Sequence, residues 1–269
     1  MLKVRVATAA VLAALVLVVL FALPAGAGIA CIAIALLAGS WEWARFAGLT
    51  RPAGRLLYVL ASAALAAVAW ERTQFGPSLQ LLLTAAAGWW CVAFLWLALK
   101  PHAINHAAAA VAGFCVLVPA WVGIGRLLLV AEPVRGAAWL FYMLLLVWAA
   151  DIGAYFTGHH FGRIKLAPEI SPGKTWEGLI GGVLAGLAVA ASGAVYFRYP
   201  PLPFVALGLV VVLASVVGDL TESMFKRFAG LKDSGSVLPG HGGLLDRIDS
   251  ITSSVPFFVL GLGWLGALK

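Results

Sequence analysis

Apolar residues in this chain come in long unbroken runs rather than in alternation with polar ones. A helix needs roughly 17–25 such residues to cross the ~30 Å hydrocarbon core of a bilayer. Nine runs of about that length lie near 4–24, 27–48, 55–70, 78–99, 104–131, 138–157, 178–198, 203–221 and 251–268, the third being short. The pattern predicts an all-α, polytopic integral membrane helix bundle of about nine transmembrane helices. Lys3 and Arg5, followed by an apolar run and "LPAGAG", imitate a cleavable signal peptide. The run from Val6 to Leu23 is itself long enough to span, and many more follow, so a retained first helix is expected. The second run, "GIACIAIALLAGSWEWARFAGL", closes on Trp and Arg, as an interfacial helix end does.

Composition sharpens the class. Hydrophobic residues make up 63% of the chain and charged residues 11%, against about 25% charged in a soluble domain. That much apolar surface excludes an ordinary soluble core. The three cysteines, Cys31, Cys91 and Cys115, stand singly inside apolar runs without Cys-x-x-Cys spacing. They read as small buried hydrophobes rather than disulfides or metal ligands. The net charge of +7 does not point to nucleic acid, because the basic residues are scattered between spans. They suit membrane topology and anionic phosphates instead.

Nine spans divide the 18 Lys and Arg unequally: Arg72, Arg126, Arg135, Arg198 and Lys269 fall on one side, leaving 13 on the side of the N-terminus. The bias predicts a cytoplasmic N-terminus and places loops 158–177 and 222–250 on one cytoplasmic face. No soluble domain or internal repeat interrupts the pattern. Residues 1–135 read as a lipid-facing scaffold of N-terminal helices, and 136–269 as the catalytic region.

Residues 151–250 hold 16 of the 29 charged side chains (18 basic, 11 acidic). Topology explains the basic excess but not the acids, and a buried carboxylate is costly unless paired or metal-bound. Asp219 follows "LGLVVVLASVVG" at the end of the eighth run. If the helix continues, Glu222, Ser223 and Lys226 share its face. Asp246 and Asp249 are i and i+3 in "DRID", so a helix begun after Gly243 presents both. Two carboxylate-bearing segments facing one another suit a hard cation such as Mg²⁺, with room for a second cation left open. The competing expectation is a set of Asp–Arg and Glu–Lys pairs with Arg247 and Lys226 as partners.

"PGHGG" supplies a glycine turn in which His241, Gly242 and Gly243 can approach phosphate. The earlier loop contains "SPGKT", which imitates the tail of a P-loop. The first glycine of that pattern is missing and a preceding strand is implausible, so a P-loop fold is rejected. Lys174 remains a candidate phosphate ligand. Asp151 is either a further part of the site or a helix-bundle hydrogen-bonding group, and the adjacent His159 and His160 diverge too much for a metal pair. Carboxylates, lysines and arginines at a membrane boundary describe phosphoryl or nucleotidyl transfer to a lipid.

Ser223, Lys226-Arg227, Lys232-Asp233, Gly235, Leu238-Pro239, His241-Gly242-Gly243, Asp246-Arg247 and Asp249 resemble the signature of the phosphatidate cytidylyltransferase, or CDP-diacylglycerol synthase, family. "ISPGKTWEGLIGG" is similar to a second recurrent segment of that family, although Gly173 and His159 stand where basic residues are common. The resemblance covers about the last 120 residues. It implies an integral membrane nucleotidyltransferase converting CTP and phosphatidate to CDP-diacylglycerol and pyrophosphate in phospholipid biosynthesis. Asp219, Asp246, Lys226 and Arg227 are then the expected catalytic residues. Lys174, Ser223, Lys232, Asp233, His241, Gly242, Gly243 and Arg247 are expected on substrate, and Asp219, Asp246 and Asp249 on Mg²⁺. The expected partners are CTP, phosphatidate and membrane lipids, with no nucleic acid and a homodimer left open. The expected location is a bacterial inner membrane with the site facing the cytoplasm. The alternatives are a CTP-dependent lipid-alcohol kinase of the polyprenol type and, from another class, a membrane transporter. The second is disfavoured because the charges gather at one face and in one third of the chain.

Overall fold

The computed structural model of the chain describes residues 2–74, 76–99, 101–130, 133–237 and 242–268. Nine α-helices lie among them and match the nine apolar runs in order: α1 Leu2–Leu17, α2 Ala25–Trp43, α3 Pro52–Arg72, α4 Pro77–Leu99, α5 His106–Leu128, α6 Pro133–Phe161, α7 Trp176–Phe197, α8 Pro201–Phe228 and α9 Leu245–Trp264. A π-helical turn, Val18–Ala22, prolongs α1. Seven helices, α2 to α8, are long and apolar enough to cross a membrane by length and composition. The 20 residues of α9 open with Asp246, Arg247, Asp249 and Ser250, which lower its hydropathy despite adequate length.

Local chemistry sets several helix starts. Pro52 and Pro201 begin α3 and α8, where a missing N–H costs nothing. Asn105 caps α5 by accepting from Ala108 N at 2.8 Å, and Thr175 caps α7 by accepting from Gly178 N at 3.1 Å. Small residues let α6 and α7 approach closely. A Cβ on Gly153 would lie 2.6 Å from the Gly181 carbonyl oxygen, and one on Gly182 would lie 2.8 Å from that of Ala150.

Two apolar clusters hold the bundle. One gathers Trp139, Tyr142, Phe204 and Phe258, with Phe197 packed on it. The other gathers Trp43, Phe46, Phe225 and Leu245 at the opposite end. Helices α4, α5, α8 and α9 each contribute to both clusters and so connect them.

The chain is the all-α membrane bundle expected, and two details differ. A strand before "SPGKT" was not expected, yet β1 (Lys165–Ala167) and β2 (Ser171–Thr175) form a short antiparallel hairpin between α6 and α7. Pro168 and Pro172 disfavour helix there. The "SPGKT" segment is therefore itself a strand, paired in the hairpin rather than curled as a phosphate loop. Helix α8 does continue past Asp219, to Phe228, and α9 does begin after Gly243, at Leu245, so polar residues extend both helices beyond their apolar runs. Cys91 is exposed on α4 rather than buried, and all three cysteines are free.

The charged loops share one end of the bundle. Arg227 Nε donates to the Ile170 carbonyl at 3.1 Å, His102 Nε2 meets Glu169 Oε2 at 2.8 Å, and Arg45 Nη1 donates to the Ser234 carbonyl at 3.1 Å. These contacts tie together the connections α2–α3, α4–α5, α6–α7 and α8–α9, as alternating helix directions require. Lys100 and Lys269, used in the charge count, lie outside the described residues.

Candidate active site

The site grows from the overhang of α8. Counted from Pro201 at 1.5 Å per residue, about 30 Å of helix ends near Leu220. Asp219 therefore stands at the boundary of the apolar segment, with Glu222, Ser223 and Lys226 just past it. Asp219 Oδ2 is 2.6 Å from Lys174 Nζ at the end of the β hairpin, with both side chains about one third exposed. Ser223 Oγ approaches Asp219 Oδ1 at 3.5 Å.

A second, more buried constellation joins α8 to α9. Lys226 Nζ lies 2.6 Å from Asp246 Oδ1 and 3.4 Å from Glu222 Oε1, and its side chain is only 11% exposed. Asp246 Oδ2 accepts from Gly243 N at 2.8 Å and from Ser234 N at 3.0 Å, and Ser234 Oγ also stands 3.0 Å from it. Gly242 adopts φ +81°, and a Cβ there would lie 2.6 Å from Asp246 Oδ2. The turn thus demands glycine on both conformational and steric grounds. Asp249 follows one turn later and accepts from Ser250 N at 2.7 Å. Both Glu222 carboxylate oxygens are buried without a hydrogen-bond donor.

The remaining expected residues distribute around this core. Arg227 is exposed but anchored, donating to the Ile170 and Leu231 carbonyls. Lys232, Asp233 and Arg247 are exposed at the same end. His241 lies outside the described residues. Asp151 lines a cavity of about 430 Å³ together with Lys174 and Asp219. That cavity lies between α6, α7, α8 and β2, and Leu179, Val183, Val212 and Val216 form an apolar part of its wall.

Two residues escaped the sequence reading. Glu42, at the end of α2, is 3% exposed and accepts hydrogen bonds from residues about 200 positions away. Arg45, one turn later, holds the Ser234 carbonyl. Their signal was a lone acid in "GSWEWAR" at the end of an apolar run, where an ionisable group warrants a functional explanation.

The donor set suits a hard divalent cation. Asp219, Glu222, Asp246 and Asp249 offer oxygen alone, and because the Lys226 ammonium faces both Glu222 and Asp246, a divalent cation would add positive charge where carboxylates outnumber it. Among the described residues no three His, Cys, Asp or Glu side chains form a ready-made metal cage. Mg²⁺ does not require one, since it commonly takes one or two carboxylates plus water and substrate phosphates. Lysines currently serve as counter-charges, with Lys174 on Asp219 and Lys226 on Asp246.

The chain is similar to known proteins over nearly its whole length. Residues 3–264 match the model of the cytidylyltransferase family. A phosphatidate cytidylyltransferase of Haemophilus influenzae is 42% identical, the alignment covering 96% of this chain and 97% of that protein. One from Pseudomonas aeruginosa is 40% identical over 98% of this chain and 99% of its own length. A Staphylococcus aureus phosphatidate cytidylyltransferase is 42% identical over 54% of this chain and 56% of its own.

Proposed function

Because this chain belongs to the cytidylyltransferase family, we propose that it transfers the cytidylyl group of CTP to phosphatidate within a membrane, releasing pyrophosphate. The observation that carries this reading is the change of character along the 430 Å³ cavity, from the Lys174–Asp219 pair to the valine- and leucine-lined wall. A phosphate-headed amphiphile fits such a gradient. A free nucleotide has no use for the apolar wall.

The lipid phosphate oxygen attacks the α-phosphorus of CTP. A new P–O bond forms as the bond to the α,β-bridging oxygen breaks, and pyrophosphate leaves with the electron pair. The attacking phosphate has its second pKa near ~6, so at neutral pH it is largely ionised and needs no protein base. The protein's task is to bring polyanions together and orient them. Lys174 faces the cavity and meets phosphate there, while Arg227 and Lys232 receive the triphosphate at the exposed rim. Lys226 acts from within, its ammonium holding Asp246 in place. Asp219 and Asp246, with Asp249 beside them, would hold a Mg²⁺ ion, which when bound supplies positive charge to the phosphate oxygens.

The basic bias of the site's end orients it toward the cytoplasm of a bacterial inner membrane. Cysteines introduced at positions 174 and 232 are then both labelled from the cytoplasmic side of sealed membranes; labelling from opposite sides would break the shared site. The reaction itself is tested with purified protein, phosphatidate and CTP labelled at either the α- or γ-phosphate. Cytidylyl transfer puts the α label in lipid and the γ label in pyrophosphate. The γ label in lipid would instead establish a kinase.

A further inference from the structure

Helix α9 carries Asp246 in its first turn, yet Leu244 at its N-cap provides no side-chain cap. The cap comes from another helix. Glu42 of α2 accepts from Leu244 N through Oε1 at 3.0 Å and from Leu245 N through Oε2 at 2.9 Å. Its negative charge also complements the positive end of the α9 dipole. Space around it is tight, since a Cβ on Gly243 would come within 2.5 Å of Glu42 Oε2.

The same carboxylate reaches Asp246 through one intermediary. Ser234 Oγ stands 2.8 Å from Glu42 Oε2 and 3.0 Å from Asp246 Oδ2. Its single proton serves one oxygen at a time, and the shorter contact is with Glu42. Ser234 N remains directed at Asp246 Oδ2 at 3.0 Å. Arg45, in the turn that follows α2, fixes the Ser234 carbonyl at 3.1 Å, so the end of α2 and this turn hold that residue at two points. Ser234 is fully buried and Glu42 nearly so.

We propose that Glu42 is a positioning residue for cytidylyl transfer: it caps α9 from the N-terminal half and, through Ser234, fixes the orientation of Asp246. The inference rests on the reaction proposed above. Covalently, the two halves of the molecule meet only at the α5–α6 connection. At the site they meet in this clamp, so α2 sets where the α9 carboxylate points.

The test uses the full-length protein in detergent with three variants, Glu42→Gln, Glu42→Ala and Ser234→Ala. Transfer from α-labelled CTP to phosphatidate gives kcat and KM per folded enzyme. Thermal unfolding and amide hydrogen exchange over residues 231–249 are measured alongside. The expected result for Glu42→Gln is a loss of about ten- to hundredfold in kcat, the loss of a charge-assisted hydrogen bond expressed as a rate. KM for CTP changes little, and exchange at Leu244 and Leu245 becomes faster. Ser234→Ala gives a smaller fall in kcat with exchange at those two amides unchanged, because Glu42 still caps α9. A Glu42→Gln enzyme with reduced thermal stability but wild-type kcat per folded molecule would reduce Glu42 to a structural cap and overturn the proposal. Unchanged exchange at Leu244 and Leu245 would overturn the clamp whatever the enzyme catalyses. A wild-type protein that transfers no label would overturn the reaction, and the positioning role with it, while the exchange data still decide whether the clamp exists.

Discussion

Helices α1 to α5 and helices α6 to α9 solve the same problem, residence in an apolar medium, with opposite use of charge. On α3 and α4 the exposed faces are leucine, valine and phenylalanine, and most ionisable groups stand near helix ends. The C-terminal helices bring Lys174, Asp219, Glu222, Lys226, Asp246 and Asp249 to one end of the bundle, several of them buried. Burying charge is expensive unless each group is matched. The C-terminal region therefore bears a cost that the N-terminal region mostly avoids. Glu42 and Arg126 are the exceptions: Arg126 stacks on Trp70 and donates to its carbonyl, whereas Glu42 is directed at the start of α9 in the other half. The difference teaches that most of the charge buried in this chain gathers at one end, around the candidate site.

Asp246→Asn strikes the charged region hardest. It removes a carboxylate expected on Mg²⁺ and leaves the buried Lys226 ammonium facing a neutral amide in place of its charged partner at 2.6 Å. Activity falls to near background and the melting temperature falls with it; exhaustive chelation by EDTA abolishes wild-type turnover, and added Mg²⁺ restores it. An Asp246→Asn enzyme with unchanged Mg²⁺ dependence would remove Asp246 from the cation site. Lys226→Ala is next. Two buried carboxylates lose their counter-charge, so unfolding measurements should show a loss of about 3–5 kcal/mol besides lost activity. Lys174→Ala and Lys232→Ala separate function from stability. Each lowers kcat/KM by roughly 10- to 150-fold through a lost phosphate contact. Stability stays within about 1 kcal/mol because both groups are partly or largely exposed. Equal stability losses at Lys226 and Lys174 would erase the distinction between the buried and rim cations. The smallest effects belong to the N-terminal face. Leu57→Ala on α3 and Leu81→Ala on α4, 67% and 73% exposed, should leave kcat/KM unchanged and alter stability by no more than about 0.5 kcal/mol.

Most of the helical frame was legible because a run of apolar residues has few alternatives to a spanning helix. Helix ends were less so. Thr221, Glu222 and Ser223 look like the start of a loop, yet α8 continues because Glu222 and Lys226 lie on one face and the Lys226 ammonium reaches Asp246. The start of α9 at Leu245 is stabilised by Glu42, whose position in the sequence gives no hint of a partner about 200 residues away. The β hairpin was illegible for a different reason: three- and five-residue strands interrupted by proline carry almost no periodicity. Counting spans put loops 158–177 and 222–250 at one end, and helix faces grouped Asp219 with Glu222, Ser223 and Lys226, and Asp246 with Asp249. What counting could not supply was which lysine faces which aspartate, since loop conformation decides that.

Asp219→Asn gives the most direct measurement. Asp219 is about one third exposed and paired with a rim lysine rather than a buried one, so replacing it leaves the Glu222–Lys226–Asp246 constellation intact. Wild-type and Asp219→Asn proteins, matched for folded fraction, are given α-labelled CTP, phosphatidate and Mg²⁺, and label in the lipid fraction is followed with time. The predicted result is label in lipid for the wild type and near-background label for Asp219→Asn, with melting temperatures nearly the same. Equal rates of lipid labelling by the two proteins would contradict a catalytic site built on the overhang of α8.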